Sequence, residues 1–493
     1  MELQATATAA APPVSSVAQL GKRILAAGTI YGLTNFGLKG VNFLILPIVS
    51  RYLRPADFGV ISLADTIAGP IGMICGLGAA TSLRRLYYEH IDDPVRTRAY
   101  VGTTLRFVML STIVTIAASC FIGPRLLQSL DKNFAVPFFP LLVIAICTAG
   151  LGQVEQTQLS IFQVQNRPAS FAAMSVLTFV LGVLSVGWLV LWSHMGGFGI
   201  LTSRLIAVSC GVLMTAYVSR WFLSAPWDWS SLSGHLRLGF PVALFEVVNL
   251  GLVFADRLIL QHYRPLEEVG IYSLAYTFGS LMLTLTVSLS QAWSPLFFEL
   301  SCRGNLRNVK AASSALMAGL VAIAIFGVVI APPAIQIVLD RRYAAAAPLV
   351  PIILGAYLLN SFYYLFELQA IQHKRTNIMV AVTMIACAVN IGLNLWCVPI
   401  WGIWGAAFAT IAAYLLQAAL MYIALCPGVD TLYSKRAILA NLAIFAGALA
   451  VVQAPWSPAG RPIALSAALI GAMALLWPLG LKRVASVLRA ALP

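Results

Sequence analysis

Lys39 lies inside an apolar run, 16 residues after Arg23 and 12 before Arg51. On a helix those cations stand roughly 24 and 18 Å away along the axis, so Lys39 falls near the middle of a lipid bilayer with neither surface within reach of its stem. An ammonium at that depth costs about 2.5–3.5 kcal/mol to insert. It is retained either to draw an anion into a cavity or to pair with a carboxylate, Asp65 or Glu246 being the alternatives. Asn35 and Asn42 flank it at i−4 and i+3, so one helical face carries two amides and a cation, a stripe suited to phosphate oxygens or sugar hydroxyls.

Arg257 is a second cation inside a span, about 10 Å from Arg264, and with Lys39, Asn35, Asn42, Arg84 and Arg85 it is a candidate to line a substrate-binding cavity. Residues at i and i+1 do not face each other on a helix, so Asp256 and Arg257 are expected to serve different partners. Arg84 and Arg85 stand at a span end, where meeting lipid phosphates and marking topology explain them equally well. Arg106 and Arg204 lie nearer the ends of their spans and are expected to snorkel. Among the acids, Asp65, Glu155, Glu246 and Glu367 lie within spans, and each is a candidate for a coupling proton or for a structural partner of a cation. Glu155 sits in a polar stretch with Gln153, Gln156 and Gln158, which suggests a wet face.

These residues are positioned by membrane-spanning helices. Of 493 residues, 60% are hydrophobic and 10% charged, with a mean hydropathy of +0.87. A soluble chain carries roughly a quarter charged residues. Apolar runs of about 20 residues, without the alternation of an outer-membrane barrel, call for a helical bundle. Fourteen runs are expected, at roughly 24–50, 57–81, 100–122, 138–164, 170–192, 198–221, 238–262, 269–298, 311–338, 347–371, 376–398, 402–425, 436–453 and 462–480. Alternate loops hold 19 and 8 Lys and Arg, which predicts both termini in the cytoplasm. The same distribution makes the net charge of +14 a topology signal and not a nucleic-acid surface. The eight cysteines and five histidines lack ligand spacing, so neither a disulfide framework nor a metal site is expected, and no cofactor. Loops of about 20 residues at most leave no room for a soluble catalytic domain, and no phosphate-binding GxxxxGK[ST] occurs. A transporter is expected, not an enzyme.

An internal repeat organises the bundle. Tyr52, Arg54, Pro55 and Gly59 recur as Tyr263, Arg264, Pro265 and Gly270, offset by 211 or 210, and Arg167 recurs as Arg375. Six spans separate the copies, so both halves have the same orientation and a pseudo-two-fold along the membrane normal is expected, with a cavity between lobes. The expected units are a disordered cytosolic tail (1–22), an N-terminal lobe (23–222), a C-terminal lobe (223–430), and two further spans with the C-terminus (431–493). Trp221, Trp227, Trp229, Trp401 and Trp404 are expected at the bilayer interfaces.

Leu46-Pro47 through Gly59, Leu83-Arg84-Arg85-Leu86-Tyr87-Tyr88-Glu89 with Asp92-Asp93, Asp256-Arg257-Leu258-Ile259-Leu260 leading to Val269–Ser273, and Trp401–Ala407 occur in an order and spacing that resemble a known group. This is the polysaccharide-export, or lipid-linked oligosaccharide flippase, branch of the multidrug/oligosaccharidyl-lipid/polysaccharide (MOP) exporter superfamily. The resemblance, over about residues 22–480, implies an all-α membrane fold of two parallel six-helix repeats (lobes like those of the MATE exporters) plus two helices. It implies flipping of an undecaprenyl-diphosphate-linked oligosaccharide across the bacterial inner membrane for O-antigen, capsule or exopolysaccharide synthesis. Membrane lipids, a polymerase and glycosyltransferases of the same pathway are the implied partners. A lipid II flippase of peptidoglycan synthesis and a cation-coupled multidrug exporter share the plan, although the latter's cavity should be acidic or aromatic, which Lys39 opposes. A membrane glycosyltransferase or polymerase would carry a large periplasmic loop, which is lacking.

Overall fold

The computed structural model describes residues 34, 37, 43, 45–90, 92–131, 134–302, 306–425, 435–454, 466, 470 and 471. Among these there is no strand. The helices are α1 Pro55–Gly76, α2 Ala79–Leu86, α3 Pro94–Leu130, α4 Val143–Val164, α5 Pro168–Val186, α6 Gly196–Leu223, α7 Trp229–Tyr263, α8 Leu266–Cys302, α9 Leu306–Val338, α10 Val350–Gln372, α11 Thr376–Trp401, α12 Ile403–Leu425 and α13 Lys435–Gln453.

Twelve helices among the described residues are long and apolar enough to cross a bilayer, with α1 and α2 forming one span. They correspond one to one with the second to thirteenth expected runs. Much of the first run and most of the fourteenth lie outside the described residues, so the twelve do not establish the full count. The helix starts follow local chemistry. Proline stands in the first turn of α1, α3 and α5, where its missing N–H costs no bond. Asp93 caps α3 through the amides of Val95 and Arg96, and Asp228 caps α7 through the amide of Ser230.

Helices α1–α6 pack among themselves, with α4 and α5 against α6 and α1 against α4. Helices α7–α12 form a second group, in which α10 and α11 pack on α12 and α7 on α11. Helix α10 is the most enclosed span, 89% of its apolar window being buried. The two groups meet where α1 packs on α7 and α8, and where α2 and α3 pack on α7. Helix α13 packs on α9 and α10.

The meeting of α1 and α8 joins the two copies of the repeat. A Cβ on Gly59 would stand 2.4 Å from the Leu266 carbonyl oxygen, and one on Gly270 would stand 1.7 Å from that of Pro55. Residue 55 relates to 266, and 59 to 270, by the same offset of 211, so each glycine admits the other copy's backbone. One turn further in, Ser62 and Ser273, again 211 apart, share a hydrogen bond of 2.7 Å. A self-paired residue of this kind lies on the axis of an internal two-fold.

Candidate functional site

The α1 chain begins at one end of the bundle and reaches the other at Leu77-Gly78, and the two helix groups touch at both ends. At the Pro55 end are the Gly59 and Gly270 contacts, the Ser62–Ser273 bond, and a contact of His262 Nδ1 with Asp131 Oδ2 at 3.3 Å. Here too the Tyr343 hydroxyl and Arg342 Nη1 donate to the Leu53 carbonyl at 2.8 and 3.3 Å. Arg342 is oriented by Asp340 at 2.8 Å. Side-chain and backbone hydrogen bonds from Arg342 hold the Asp340 carboxyl below the usual carboxylate range.

At the other end Leu77 and Gly78 are both left-handed, with φ of 43° and 71°, and break the span between α1 and α2. Gly78 is required twice: for its φ, and because a Cβ there would lie 2.5 Å from the Gly239 carbonyl oxygen. A Cβ on Gly239 would meet the Leu77 carbonyl at 2.2 Å. The Ser82 hydroxyl and His235 Nδ1 are bonded beside this contact. Arg84 sits just outside it, donating to Gln163 and Thr81 at 3.2 Å each, and Arg85 is exposed.

Between the ends, α8 carries a row of polar groups. On α8, Ser273, Thr277, Ser280, Thr284 and Ser288 recur every three or four residues, and Gln291 continues the row. They therefore share the face that begins at the axial Ser62–Ser273 contact. Each hydroxyl donates to a carbonyl three or four residues back. Ser273 is also engaged with Ser62; from Thr277 onward each proton is committed within the helix, which leaves the lone pairs of the hydroxyls to accept hydrogen bonds. Sequence reasoning missed the row because each hydroxyl alone is ordinary in a membrane helix; its period of 3.6 was the available signal.

Asp65 of α1 accepts from Arg204 Nη1 of α6 through both oxygens, at 3.0 and 2.9 Å. This differs from the expected snorkelling of Arg204. A carboxylate on the neighbouring helix lies within its reach, which makes folding inward less costly than a long path to the interface. Among the described residues Asp65 pairs with Arg204. Lys39, Asn35 and Asn42 lie outside the described residues.

Arg257 is 3% exposed, inside the C-terminal lobe. The expectation that it and Asp256 serve different partners is corrected: Arg257 Nη1 donates to Asp256 Oδ1 at 3.0 Å and to the Val253 carbonyl at 2.7 Å. The stem is long enough to curl back along its own helix, which the angular separation of two Cβ atoms does not prevent. The guanidinium is surrounded by the rings of Phe254, Tyr276 and Tyr272, at 4.8, 4.4 and 5.8 Å. The Tyr272 hydroxyl bonds Asp256 at 2.5 Å, and Tyr276 bonds Thr410 of α12 at 2.9 Å. In this conformation Arg257 faces packed side chains and not an open cavity.

The remaining acids separate by environment. Glu155 accepts from Thr178 at 2.8 Å within the N-terminal lobe. Glu246 of α7 and Glu367 of α10 lie close enough for their charges to interact, with Tyr364 beside both. Among the described residues neither carboxylate has a hydrogen-bond or ion-pair partner. Next to them a chain of buried groups runs from Asn360 through Gln417 and Thr383 to Tyr363. Arg106 Nη2 donates to the Pro226 carbonyl at 3.0 Å, with its guanidinium 5.5 Å from the centroid of the Trp227 ring.

Residues 24–301 match the family model described as "Polysaccharide biosynthesis protein". The lipid III flippase of Escherichia coli (strain K12) is 22% identical over 415 residues, covering 81% of this chain and 96% of that protein. The succinoglycan biosynthesis transport protein ExoT of Rhizobium meliloti is 22% identical over 255 residues, covering 50% and 48%. Among solved structures, the lipid II flippase MurJ in an inward closed conformation superposes with a TM-score of 0.70 at 14% identity, covering 92% of this chain and 98% of that one. An inward-facing MATE multidrug transporter of the MOP superfamily gives 0.60 at 12% identity, covering 79% and 96%. The structural likenesses establish the fold, and the family match spans more than half of the sequence. The chain belongs to the polysaccharide biosynthesis protein family.

Proposed function

We propose that this protein flips an undecaprenyl-diphosphate-linked oligosaccharide across the bacterial inner membrane, for synthesis of a surface polysaccharide, by alternating access between its lobes. The observation that carries the reading is the acceptor row on α8, which starts at the axial Ser62–Ser273 contact. Uncharged, repeated acceptors suit a glycan rich in O–H donors, and they suit it without demanding one sugar identity. The names of the E. coli and R. meliloti relatives support a lipid-linked or polymeric saccharide as cargo.

In this reading both termini are cytoplasmic, the Pro55 end is periplasmic, and Arg84 and Arg85 stand at the cytoplasmic mouth. Lys39, with Asn35 and Asn42, draws in the diphosphate. Arg257 joins that surface only in a conformation that releases it from Asp256. The polyprenyl tail stays in lipid beside the last two spans. Rocking alternately parts the Gly59/Gly270 and the Gly78/Gly239 contacts. Of the four acids proposed for coupling, Asp65 and Glu155 are engaged by Arg204 and Thr178, so Glu246 and Glu367 are the preferred carriers of a proton or cation. Pathway enzymes, a polymerase and glycosyltransferases, are the proposed partners.

The test is complementation. In a strain deleted for this protein, Lys39→Ala should abolish surface polysaccharide while membrane insertion is normal, and Arg257→Ala should do the same. If both variants export normally, the cationic-cavity account fails. If depletion instead arrests cell-wall synthesis, the cargo is lipid II. If the deletion only sensitises cells to cationic drugs, the protein is a drug exporter.

A further inference from the structure

Arg204 is exposed on the wrong side of its helix for a lipid-facing residue. Ile206, Leu213 and Tyr217 form the exposed side of α6, Leu213 at 70% and Tyr217 at 67% exposure. Leu213 is nine residues from Arg204, about two and a half turns, and therefore on the opposite face. The residues that share the face of Arg204, at i−4, i+4, i+7 and i+11, are Ile200, Val208, Gly211 and Thr215, and all four are buried. Yet the Arg204 and Asp65 side chains are each 44% exposed. A half-exposed ion pair on the packed side of a helix opens onto an internal space. Asp65 is one turn beyond Ser62, which places that opening beside the axial contact of the lobes.

The pair leaves half of the guanidinium available. Both Asp65 oxygens contact Nη1, and among the described residues Nε and Nη2 have no partner. The Nε–Nη2 edge is the second of the two bidentate faces of an arginine, and its fork matches a phosphoryl group. Asp65 keeps the cation neutralised while no ligand is present, which lowers the cost of holding a charge at this depth.

We propose that Arg204 is a docking point for a phosphoryl group on the wall of the interlobe space, with Asp65 as its resting counter-ion. The inference deepens the flippase reading and rests on it. A ligand anion would meet the guanidinium through Nε and Nη2, and Asp65 would compete with it.

Binding in nanodiscs, measured by native mass spectrometry with undecaprenyl diphosphate, inorganic pyrophosphate and undecaprenol as probes, tests the assignment. Arg204→Ala should weaken undecaprenyl diphosphate about tenfold or more and leave undecaprenol unchanged. Asp65→Asn, which also breaks the pair, should bind the diphosphate lipid at least as tightly as the wild type. A structural lock between α1 and α6 predicts instead that both variants lose binding together, in step with lost thermal stability. The exchange variant D65R/R204D should recover thermal stability but not diphosphate affinity. Pyrophosphate binding that matches the lipid would make the ligand a free phosphate. If Arg204→Ala binds like the wild type, the docking point is refuted; if the wild type itself does not prefer undecaprenyl diphosphate over undecaprenol, the flippase reading fails as well.

Discussion

Gly270→Ala should unlock the Pro55 end of the molecule. The added methyl carbon would stand 1.7 Å from the Pro55 carbonyl oxygen and 3.0 Å from the Gly59 amide nitrogen. Both obstacles are backbone, so no rotamer change relieves them, and α1 and α8 must separate by more than about 1 Å at their crossing. Overpacking of this kind costs about 1–3 kcal/mol. The cost falls only on states in which the two helices touch. Relative to states parted at this end, the closed state should lose about 5- to 150-fold in population. The reporter is oxidative cross-linking of Ser62→Cys with Ser273→Cys, whose hydroxyls are 2.7 Å apart, in a background lacking the eight native cysteines. The pair should cross-link readily when Gly270 is retained and poorly in the Gly270→Ala variant. Gly239→Ala, clashing with the Leu77 carbonyl at 2.2 Å, should act oppositely and preserve or raise the cross-link. Equal cross-linking in Gly270→Ala at normal expression, or equal loss in Gly239→Ala, would refute a two-ended closure.

Asp256→Ala should destabilise the protein by about 3–5 kcal/mol in detergent, because it leaves the buried Arg257 unpaired. Thermal unfolding should show the doubly apolar D256L/R257L variant to be less impaired than D256A. Glu367→Gln should make transport by reconstituted vesicles insensitive to an imposed proton or sodium gradient, while binding of the lipid cargo persists; retained gradient dependence would remove Glu367 from coupling. The Asp340 carboxyl titrates below its ordinary value, so its support for the Arg342–Leu53 contact is complete above the unfolded pKa and is lost as pH falls through the folded one. Opening at the Pro55 end, read by the same cross-link, should therefore rise only in strongly acidic buffer, and Asp340→Asn should raise it at neutral pH.

Most of the architecture was legible because lipid demands long apolar runs, and twelve of these reappear as helices at the expected places. The repeat was legible because Gly59 and Gly270 must be glycine for a steric reason, and that reason leaves a sequence trace. What they touch was not: the offset of 211 gave the relation, but not that each copy receives the other's carbonyl. The charged residues were harder. Position along a span says how deep a charge lies and not which neighbour answers it, so Arg204 passed for a snorkelling residue and Arg257 for a cavity cation. A helical wheel drawn for α6, with Leu213 and Tyr217 opposite Arg204, would have indicated an inward side chain. For Arg257 no sequence signal existed, since its enclosure depends on Tyr272, Tyr276 and Thr410 from other helices.

The central claim is transbilayer movement of a diphosphate-linked glycan, and purified protein in vesicles measures it. Undecaprenyl-diphosphate oligosaccharide is placed in both leaflets, and the fraction reached by a membrane-impermeant glycosidase added outside is followed over time. The account predicts that the accessible fraction rises from about half toward completion with the wild-type protein and stalls at half with Lys39→Ala. A wild-type trace that stalls at half, as in protein-free vesicles, would contradict it.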